Sequence, residues 1–452
     1  MTGKPPIKSK LLVLCAALII FGAAQFVRAQ TPTSTPAQTQ PKFVSLDEAV
    51  RLALTQASTF KQSLLNEQIA AQDVFQAKKA FLPKISANPG FVFTSPSLGS
   101  VPMGTPRPPS FLGANAITEY QGLATASGEI DTSGRLRATR RRAQFLLQAA
   151  QAGTETARRN LIGATEEAYF IFALAAAQKN SAEANLQTAT EFENLTKLLV
   201  EGGEIAPVDL MRAQVQTTTR RDELEQARTN ERISADNLRV YLGFDSAQEI
   251  AVSDLQTLLP ETGELAQFSI DAIANRPELR QIQSETEAAK EEAKIAKSER
   301  KPQFTYSIDG GFVSDSLRPR NIGKTTGIRA TVGVSIPLFD WGASKSRQKQ
   351  AELRAQISEN SRLFATRQFA AQFNSNLAQG TATASRIRSL ANNLRNAEKI
   401  LEVAILRYKA GETQIIEVTD AQTQIIIQRN ALLQAIYDYR IAVARLRQAT
   451  GK

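Results

Sequence analysis

Phe339-Asp340-Trp341-Gly342 begins a stretch of sequence that repeats, without a gap, the one that follows Asp131-Thr132-Ser133-Gly134. A shift of 208 residues places Gly134 on Gly342, and the match still holds 109 residues later at Gly243 and Gly451. A chance similarity would not keep one register over such a length, and self-similarity at a fixed shift indicates a duplicated architecture. The sequence therefore predicts two structural repeats.

Each repeat contains a long segment that is typical of a coiled-coil helix. Residues 135–200 and 343–408 contain no proline, and each would form a helix of about 100 Å at ~1.5 Å per residue. Apolar residues in the second segment step by four and three, as in a heptad seam: Leu390, Leu394, Ala397, Leu401, Ala404 and Tyr408. A returning arm follows each glycine turn, and Arg429 occupies one position of its seam in the second repeat.

Two pairs of strands precede these helices. In the second repeat, alternate positions from Phe304 to Ile308 and from Ile328 to Leu338 are apolar, which is the period of a half-buried strand. Ile85 to Phe93 alternates in the same way, and its partner lies near 120–130. Residues 95–112, which contain five prolines, and residues 314–326 are predicted to be exposed loops.

The amino terminus is predicted to be a secretory signal peptide. Three lysines precede an apolar run from Leu11 to Ala24, and Val27-Arg28-Ala29 offers small residues for cleavage. Cys15 follows Leu14, so we do not expect a lipoprotein. The predicted order is a signal peptide at 1–29, a flexible segment at 30–44, a first repeat at 45–243, an equatorial connector at 244–267 and a second repeat at 268–452. The first repeat would contain a β-hairpin at 84–131 and a helical hairpin at 134–243. The second would contain a β-hairpin at 303–340 and a helical hairpin at 342–451.

The composition argues against an enzyme and against a nucleic-acid-binding protein. Residues 30–452 contain no cysteine and no histidine, which removes thiolate nucleophiles, imidazole bases and the usual metal ligands. No phosphate loop, dinucleotide fingerprint or nucleophile elbow is present in its required context. The same residues carry 50 basic and 44 acidic side chains, a weak excess for binding nucleic acid. We expect no enzymatic activity, no cofactor, no metal and no nucleic acid.

The strands are the only segments of residues 30–452 that suit a membrane. The longest apolar run there, from Ala168 to Ala177, is half the length of a spanning helix. Lipid accepts a sheet only as a closed barrel, and the smallest such barrels have about eight strands. Four strands cannot close a barrel, so several copies would have to pool their strands.

Taken together, these features resemble the TolC-like outer-membrane efflux proteins over nearly all of residues 45–451. The motifs that carry the resemblance are Leu46-Asp47-Glu48-Ala49-Val50, Asn275-Arg276-Pro277-Glu278-Leu279, the two strand exits quoted above, and Arg407-Tyr408-Lys409-Ala410-Gly411-Glu412. The resemblance implies a mainly α protein with membrane β structure: a homotrimer with a twelve-stranded outer-membrane barrel, a coiled-coil helical barrel crossing the periplasm, and an equatorial belt that includes the connector. It further implies a passive exit duct in a Gram-negative outer membrane, whose partners are a periplasmic adaptor and an inner-membrane pump of the RND, ABC or MFS type.

The resemblance also assigns roles at the periplasmic tip. Gly203 and Gly411 would reverse the two helical hairpins and lie where an adaptor docks. Glu417 and Asp420 lie three residues apart on one helical face and would form acidic rings at the pore aperture, although a plain solvated face is the alternative. Tyr408 would bond to Asp209 to close the tip. Thr413 stands where well-studied members have arginine, so the closing lock would lack that residue.

Two further features are open to two interpretations. Trp341, the only tryptophan, is either an interfacial aromatic next to outer-membrane lipid or a packed residue at a strand end. The arginines that begin the first long helix either meet lipid phosphates or form a solvated helix face: Arg135, Arg137, Arg140, Arg141 and Arg142.

A periplasmic coiled-coil adaptor and an exported enzyme on a helical scaffold are the competing functions. An adaptor should have one helical hairpin, whereas this sequence repeats a strand pair and a hairpin twice. An enzyme should show clustered catalytic groups.

Overall fold

The computed structural model of the protein describes residues 42–95 and 118–451. The predicted signal peptide, Cys15, most of the segment 30–44 and the proline-rich part of the loop 95–112 lie outside these residues. Residues 42–44 differ from the flexible segment that we expected. Strand β1 (Lys42–Phe43) pairs in parallel with β4 (Ile250–Ala251), and Val44 is fully buried.

The two long helical hairpins coincide under the shift found in the sequence. Helices α3 (Arg135–Glu201) and α7 (Ala343–Lys409) each contain 67 residues, and the returning helices α4 (Pro207–Leu242) and α8 (Ile415–Thr450) each contain 36. The first and last residues of α3 and α4 each lie 208 residues before the corresponding residues of α7 and α8. The predicted long helices and the internal duplication are therefore confirmed.

The shorter helices are more divided than the sequence pattern indicated. The first helical stretch consists of α1 (Leu46–Thr55) and α2 (Thr59–Lys79), separated at Ser58, whose side chain accepts from the Lys61 N–H at 3.4 Å and caps α2. The second begins as a 3₁₀ turn, Ile270–Asn275, and continues as α5 (Pro277–Ser298). Pro277 occupies the first position of α5, where a missing N–H costs no hydrogen bond.

Four strands form one antiparallel sheet. Their bounds are β2 (Lys84–Phe93), β3 (Thr118–Ile130), β5 (Gln303–Ser314) and β6 (Thr326–Ser335). The order is β2-β3-β5-β6, so the hairpins of the two repeats join through β3 and β5, with Ile130 opposite Phe304. Among the described strands, β2 and β6 pair on one side only.

Two details of the strand prediction were wrong. Strand β6 ends at Ser335, so Ile336 and Leu338 lie beyond it, because Pro337 has no N–H to continue the ladder. The segment predicted as a loop at 314–326 contains a short helix, α6 (Pro319–Thr325), which also begins with proline.

The sheet has one apolar and one polar face. Phe304, Tyr306 and Ile308 lie opposite Val334, Val332 and Ala330 on the apolar face. On the other face, polar side chains are linked across all four strands. The Asn88 amide donates to the Thr125 hydroxyl at 3.2 Å, that hydroxyl donates to Asp309 at 2.7 Å, and Arg329 pairs with Asp309 at 3.0 Å.

The helices beneath the sheet pack in the same order as the strands. Helix α2 packs on α3, α3 on α5, and α5 on α7. The largest hydrophobic core lies near the connector, where Leu255, Ile273, Leu433 and Tyr439 are buried. No helix within the described part of the chain is both long enough and apolar enough to cross a membrane.

Candidate functional site at the helical tip

Both helical hairpins reverse in the same hydrogen-bonded turn. Gly203 (φ 76°) and Gly411 (φ 73°) have left-handed backbones. The Glu204 N–H donates to the Leu199 carbonyl at 2.9 Å, and the Glu412 N–H donates to the Arg407 carbonyl at 2.9 Å. This six-to-one bond defines a Schellman ending, which favours glycine because a left-handed backbone strains other residues. A Cβ at either position would meet nothing within 4 Å, so only the backbone angle requires glycine.

Tyr408 lies in the core of the tip, with 3% of its surface exposed. Its ring packs on Phe192 at a centroid distance of 5.3 Å, among Ala404, Ile415 and Val418. Burial raises the pKa of the Tyr408 hydroxyl, and the nearby Asp209 carboxylate raises that pKa further. A deeply packed ring is typical of a structural anchor.

The Tyr408 hydroxyl is not bonded to Asp209 in the isolated chain. No described residue lies at the distance and angle that a hydrogen bond to this hydroxyl requires. The facing Thr196 hydroxyl donates instead to the Phe192 carbonyl at 2.8 Å. Asp209 pairs with Arg212 at 3.4 Å. The geometry brings Tyr408 and Asp209 near each other without joining them.

Glu417, predicted to line the aperture, is part of a local ion pair. Its carboxylate lies 3.0 Å from the Arg407 guanidinium and also accepts from the Thr413 hydroxyl. Arg407 precedes the glycine turn and Glu417 follows it, so the ion pair links the two helices that the turn connects. The side chains are 46% and 47% exposed, which makes this a solvent-screened pair of modest strength. The sequence contained both residues, but only the turn geometry shows that they meet.

Asp420, the second predicted aperture residue, differs from Glu417. It is exposed on α8, and none of the described residues forms an ion pair or a hydrogen bond with it. Glu417 therefore has a cationic partner within the chain, whereas Asp420 has none among the described residues.

A partly open cavity with both polar and apolar walls lies between the hairpins above the tip, and the sequence did not predict it. Its volume is about 390 Å³, and α3, α4, α7 and α8 all contribute to its wall. Arg429, the charged residue in the predicted seam, lies here and contacts Asn185 at 3.3 Å and Glu398 at 3.4 Å. The charged side chain of Arg429 therefore lies in a space between the helices instead of being packed in an apolar seam.

The connector is fixed to α8 by a buried carboxylate. Glu264 accepts from the Tyr439 hydroxyl at 2.8 Å and from Arg440 at 2.9 Å. Arg440 also donates to the Leu258 and Leu259 carbonyls at 2.8 and 2.6 Å. This cluster was missed because Glu264 lies in a polar, irregular segment with no periodic signal.

At the other end of the long helices, the two features with alternative interpretations are now clearer. Trp341 is 87% exposed, lies beyond the end of β6 and touches Phe339 at a centroid distance of 5.1 Å. A residue this exposed is not a packed strand-end aromatic within the chain. Four of the five clustered arginines pair with acids of the same chain: Arg135 with Glu129, Arg137 with Asp131, Arg141 with Glu291 and Arg142 with Glu292.

The described side chains offer no cluster that suits a metal. Within residues 42–95 and 118–451, no group of three or more His, Cys, Asp or Glu side chains is arranged to hold an ion.

Two of three relatives of this chain are named as efflux or export proteins. The chain is 23% identical to the solvent efflux pump outer membrane protein SrpC of Pseudomonas putida over 350 residues, which cover 74% of this chain and 71% of SrpC. It is 22% identical to the toxin and drug export protein A of Aggregatibacter actinomycetemcomitans over 84% of this chain and 82% of that protein. The match to nodulation protein T of Rhizobium leguminosarum bv. trifolii, at 23% identity, covers 60% of this chain and 58% of the relative.

Solved structures share the fold. The Campylobacter jejuni CmeC outer membrane channel superposes with a TM-score of 0.80 at 18% identity, over 90% of this chain and 85% of that one. The open state of the Neisseria gonorrhoeae MtrE outer membrane channel gives a TM-score of 0.76 at 20% identity, over 90% and 88%.

The family model for the outer membrane efflux protein matches residues 49–244 and 269–452, one segment in each repeat. The two segments leave out only residues 1–48 and the connector region 245–268, so the resemblance of the individual motifs extends to the whole duplicated architecture. This chain belongs to the outer membrane efflux protein family.

Proposed function

We propose that three copies of this chain form a passive exit duct, with their strands closed into a twelve-stranded barrel in the outer membrane and their helices continuing the tunnel into the periplasm. The observation that carries the proposal is that the sheet and the layer of helices beneath it have their unpaired ends at the same two sides of the chain. Strands run in the order β2-β3-β5-β6 and helices in the order α2-α3-α5-α7, so β2 with α2 and β6 with α7 form the two ends of the same row.

Both ends of the row carry exposed apolar side chains. On α2, Leu65 and Ile69 are 55% and 60% exposed, and on α7, Ile357 and Phe364 are 64% and 68% exposed. These residues recur at helical spacing, so each set forms a stripe. A contiguous exposed apolar stripe marks an interaction site, and a head-to-tail contact between the two ends generates a ring.

Closure of the sheet requires several copies. A membrane sheet has no open edges, and four strands are fewer than the ~8 of the smallest barrels. Three copies supply twelve strands, the number expected from the resemblance. The polar face of the sheet, with its Asp309 and Arg329 ladder, would then line the lumen.

We further propose that the duct receives its cargo from a periplasmic adaptor and an inner-membrane pump. Support comes from the names of the relatives, which include a solvent efflux pump protein and a toxin and drug export protein. The absence of His and Cys from residues 30–452 supports a passive role without an enzymatic step. The alternative of an adaptor is disfavoured by the second strand pair and the second hairpin.

Native mass spectrometry and planar-bilayer recordings of the detergent-purified protein would test this proposal. We expect a mass of three chains and a stepwise ion conductance. A monodisperse single chain that conducts no ions would contradict it.

A further inference from the structure

Positive charge is concentrated where the four helices meet the sheet. We define the basic collar as residues 78–84, 129–142, 291–303 and 336–349, which contain the ends of α2, α3, α5 and α7 and the adjoining strand ends. The collar carries fifteen Lys or Arg residues and six Asp or Glu residues. The rest of the chain carries 39 basic and 38 acidic residues, so nearly all of the excess positive charge lies in the collar.

Every acid in the collar is already engaged within the chain. Five of the carboxylates form ion pairs with arginines or a lysine of the collar: Glu129, Asp131, Glu291, Glu292 and Glu299. The sixth, Asp340, accepts from the N–H groups of Gly342 and Ser344 at 3.2 and 2.7 Å, which caps α7. Asp340 is thus the one collar carboxylate without an ion pair, and its oxygens are engaged by the start of α7.

Nine collar cations are exposed and have no ion pair with any described residue: Lys78, Lys79, Lys84, Arg140, Lys297, Arg300, Lys301, Lys345 and Lys349. Three of them make weaker contacts. Lys79 lies over the Phe75 ring, Arg300 donates to Gln348, and Lys301 donates to a carbonyl oxygen.

The collar also contains large apolar side chains that are exposed. Leu82 is 55% exposed, Leu338 is 90%, Phe339 is 74% and Trp341 is 87%. Exposed aromatic residues next to cations are typical of the boundary between hydrocarbon and headgroups. The collar therefore lies at the height of lipid phosphates if the sheet spans the membrane.

Both ends of the row carry exposed lysines without an ion pair. Lys78, Lys79 and Lys84 lie on the α2 and β2 end, whereas Lys345 and Lys349 lie on the α7 and β6 end. Ring closure would bring these two sets of lysines to one seam. The nearest acid on α2 is Asp73, ~9 Å along the helix from Lys79. Like charges that share a seam repel one another unless an anion lies between them.

We propose that each seam between copies binds the phosphate headgroup of an anionic phospholipid, held by Lys79 and Lys84 of one copy and by Lys345 and Lys349 of its neighbour. Lysine binds phosphate as a point charge, and basic residues at a membrane surface attract anionic lipid. This inference rests on the proposed ring of copies, since the site is complete only at a seam.

The test is native mass spectrometry of the detergent-purified assembly with added dioleoylphosphatidylglycerol. We expect up to three lipids retained on a three-chain assembly and little retention of dioleoylphosphatidylcholine. The variant with Lys79→Gln, Lys84→Gln, Lys345→Gln and Lys349→Gln should lose at least tenfold of the phosphatidylglycerol retention, because each cation contributes separately. A matched variant removes four exposed, unpaired lysines elsewhere and should retain lipid as the wild type does: Lys61→Gln, Lys197→Gln, Lys399→Gln and Lys409→Gln.

Two further readouts separate the possible failures. Inorganic phosphate at equal concentration should not displace the lipid, and full displacement would show a site for free phosphate instead. A three-chain assembly with equal retention of both lipids, or with unchanged retention in the collar variant, would overturn this inference and leave the proposed duct intact. A single-chain species would overturn both.

Discussion

Charge at the tip differs between two carboxylates that look equivalent in the sequence. Glu417 forms an ion pair with Arg407 at 3.0 Å, whereas Asp420 is exposed and has no ion pair among the described residues. A neutralised pair contributes little to the potential in a pore, and a ring of unpaired carboxylates concentrates cations. The acidic aperture is therefore expected to depend on Asp420.

Asp420→Asn should lower the preference of the channel for cations. Two unit charges ~4 Å apart in water interact by ~1 kcal/mol, so the permeability ratio should fall by about fivefold. The measurement is the reversal potential in asymmetric KCl. The control is the double variant Arg407→Gln and Glu417→Gln, which removes one charge of each sign and should keep the wild-type ratio. An unchanged ratio in Asp420→Asn would show that Asp420 belongs to a plain solvated face.

Two buried tyrosines form a matched pair for testing hydrogen bonds. The Tyr439 hydroxyl donates to Glu264 at 2.8 Å, whereas the Tyr408 hydroxyl has no partner within the described part of the chain. Tyr439→Phe should lower the free energy of unfolding by ~1.5–3 kcal/mol, because it removes a bond to a charged group. Tyr408→Phe should change it by less than ~0.5 kcal/mol. Thermal unfolding of the two variants in detergent checks the contrast, and equal losses would contradict it.

The same tyrosines predict a loss of stability in alkali. Burial raises the pKa of Tyr439, as does its bond to Glu264, and burial also raises the pKa of Tyr408. Both hydroxyls stay neutral in the folded protein while tyrosines of the unfolded chain ionise near pH 10. The stability that the two neutral hydroxyls contribute to the folded state is therefore complete below about pH 10 and is lost as the pH rises above that value. The double Phe variant should show a shallower decline of unfolding temperature between pH 9 and pH 11.

Among the elements, the long helices and the glycine turns were the parts that the sequence predicted best. Two proline-free segments in heptad register leave little alternative to a helix, and a left-handed turn favours glycine. The break at Ser58 and the end of β6 before Pro337 depend on single residues inside an otherwise continuous pattern. The Glu264 cluster and the Arg407 pair join segments that periodicity does not relate, so only the folded chain could reveal them.

The glycine turns predict a contrast between neighbours. Gly203 is left-handed, at φ 76°, whereas Gly202 is helical, at φ −74°. Gly203→Ala should cost ~1–2 kcal/mol of local stability, and Gly202→Ala should be neutral or stabilising by up to ~1 kcal/mol. Hydrogen exchange of the Glu204 amide reports on this turn, and it should be about 5- to 30-fold faster in Gly203→Ala only.

Gly411→Val extends the contrast to the second tip. The residue is left-handed at φ 73°, and a β-branched side chain is more strained there than alanine. Faster exchange of the Glu412 amide, without loss of the assembled species, is the expected result. Wild-type exchange rates in both tip variants would show that the turns do not depend on glycine.

At the scale of the whole molecule, a row of four strands lies above a row of four helices, and β2 with α2 and β6 with α7 are the ends of both rows. The isolated chain leaves Ile69 on α2 60% exposed, and it leaves Leu353 and Ile357 on α7 45% and 64% exposed. A ring of copies would cover all of them. We infer that the α2 end of one copy meets the α7 end of the next.

Disulfide crosslinking measures that contact directly, because the only cysteine of the sequence, Cys15, lies in the predicted signal peptide. Ile69→Cys would be combined with Leu353→Cys or with Ile357→Cys, and the protein oxidised in membranes and separated without reductant. We predict a ladder that ends at three chains for at least one of the two combinations, and monomers for each single variant. A ladder that continues past three chains, dimers formed by a single variant, or no crosslinking in either combination would contradict the head-to-tail trimer.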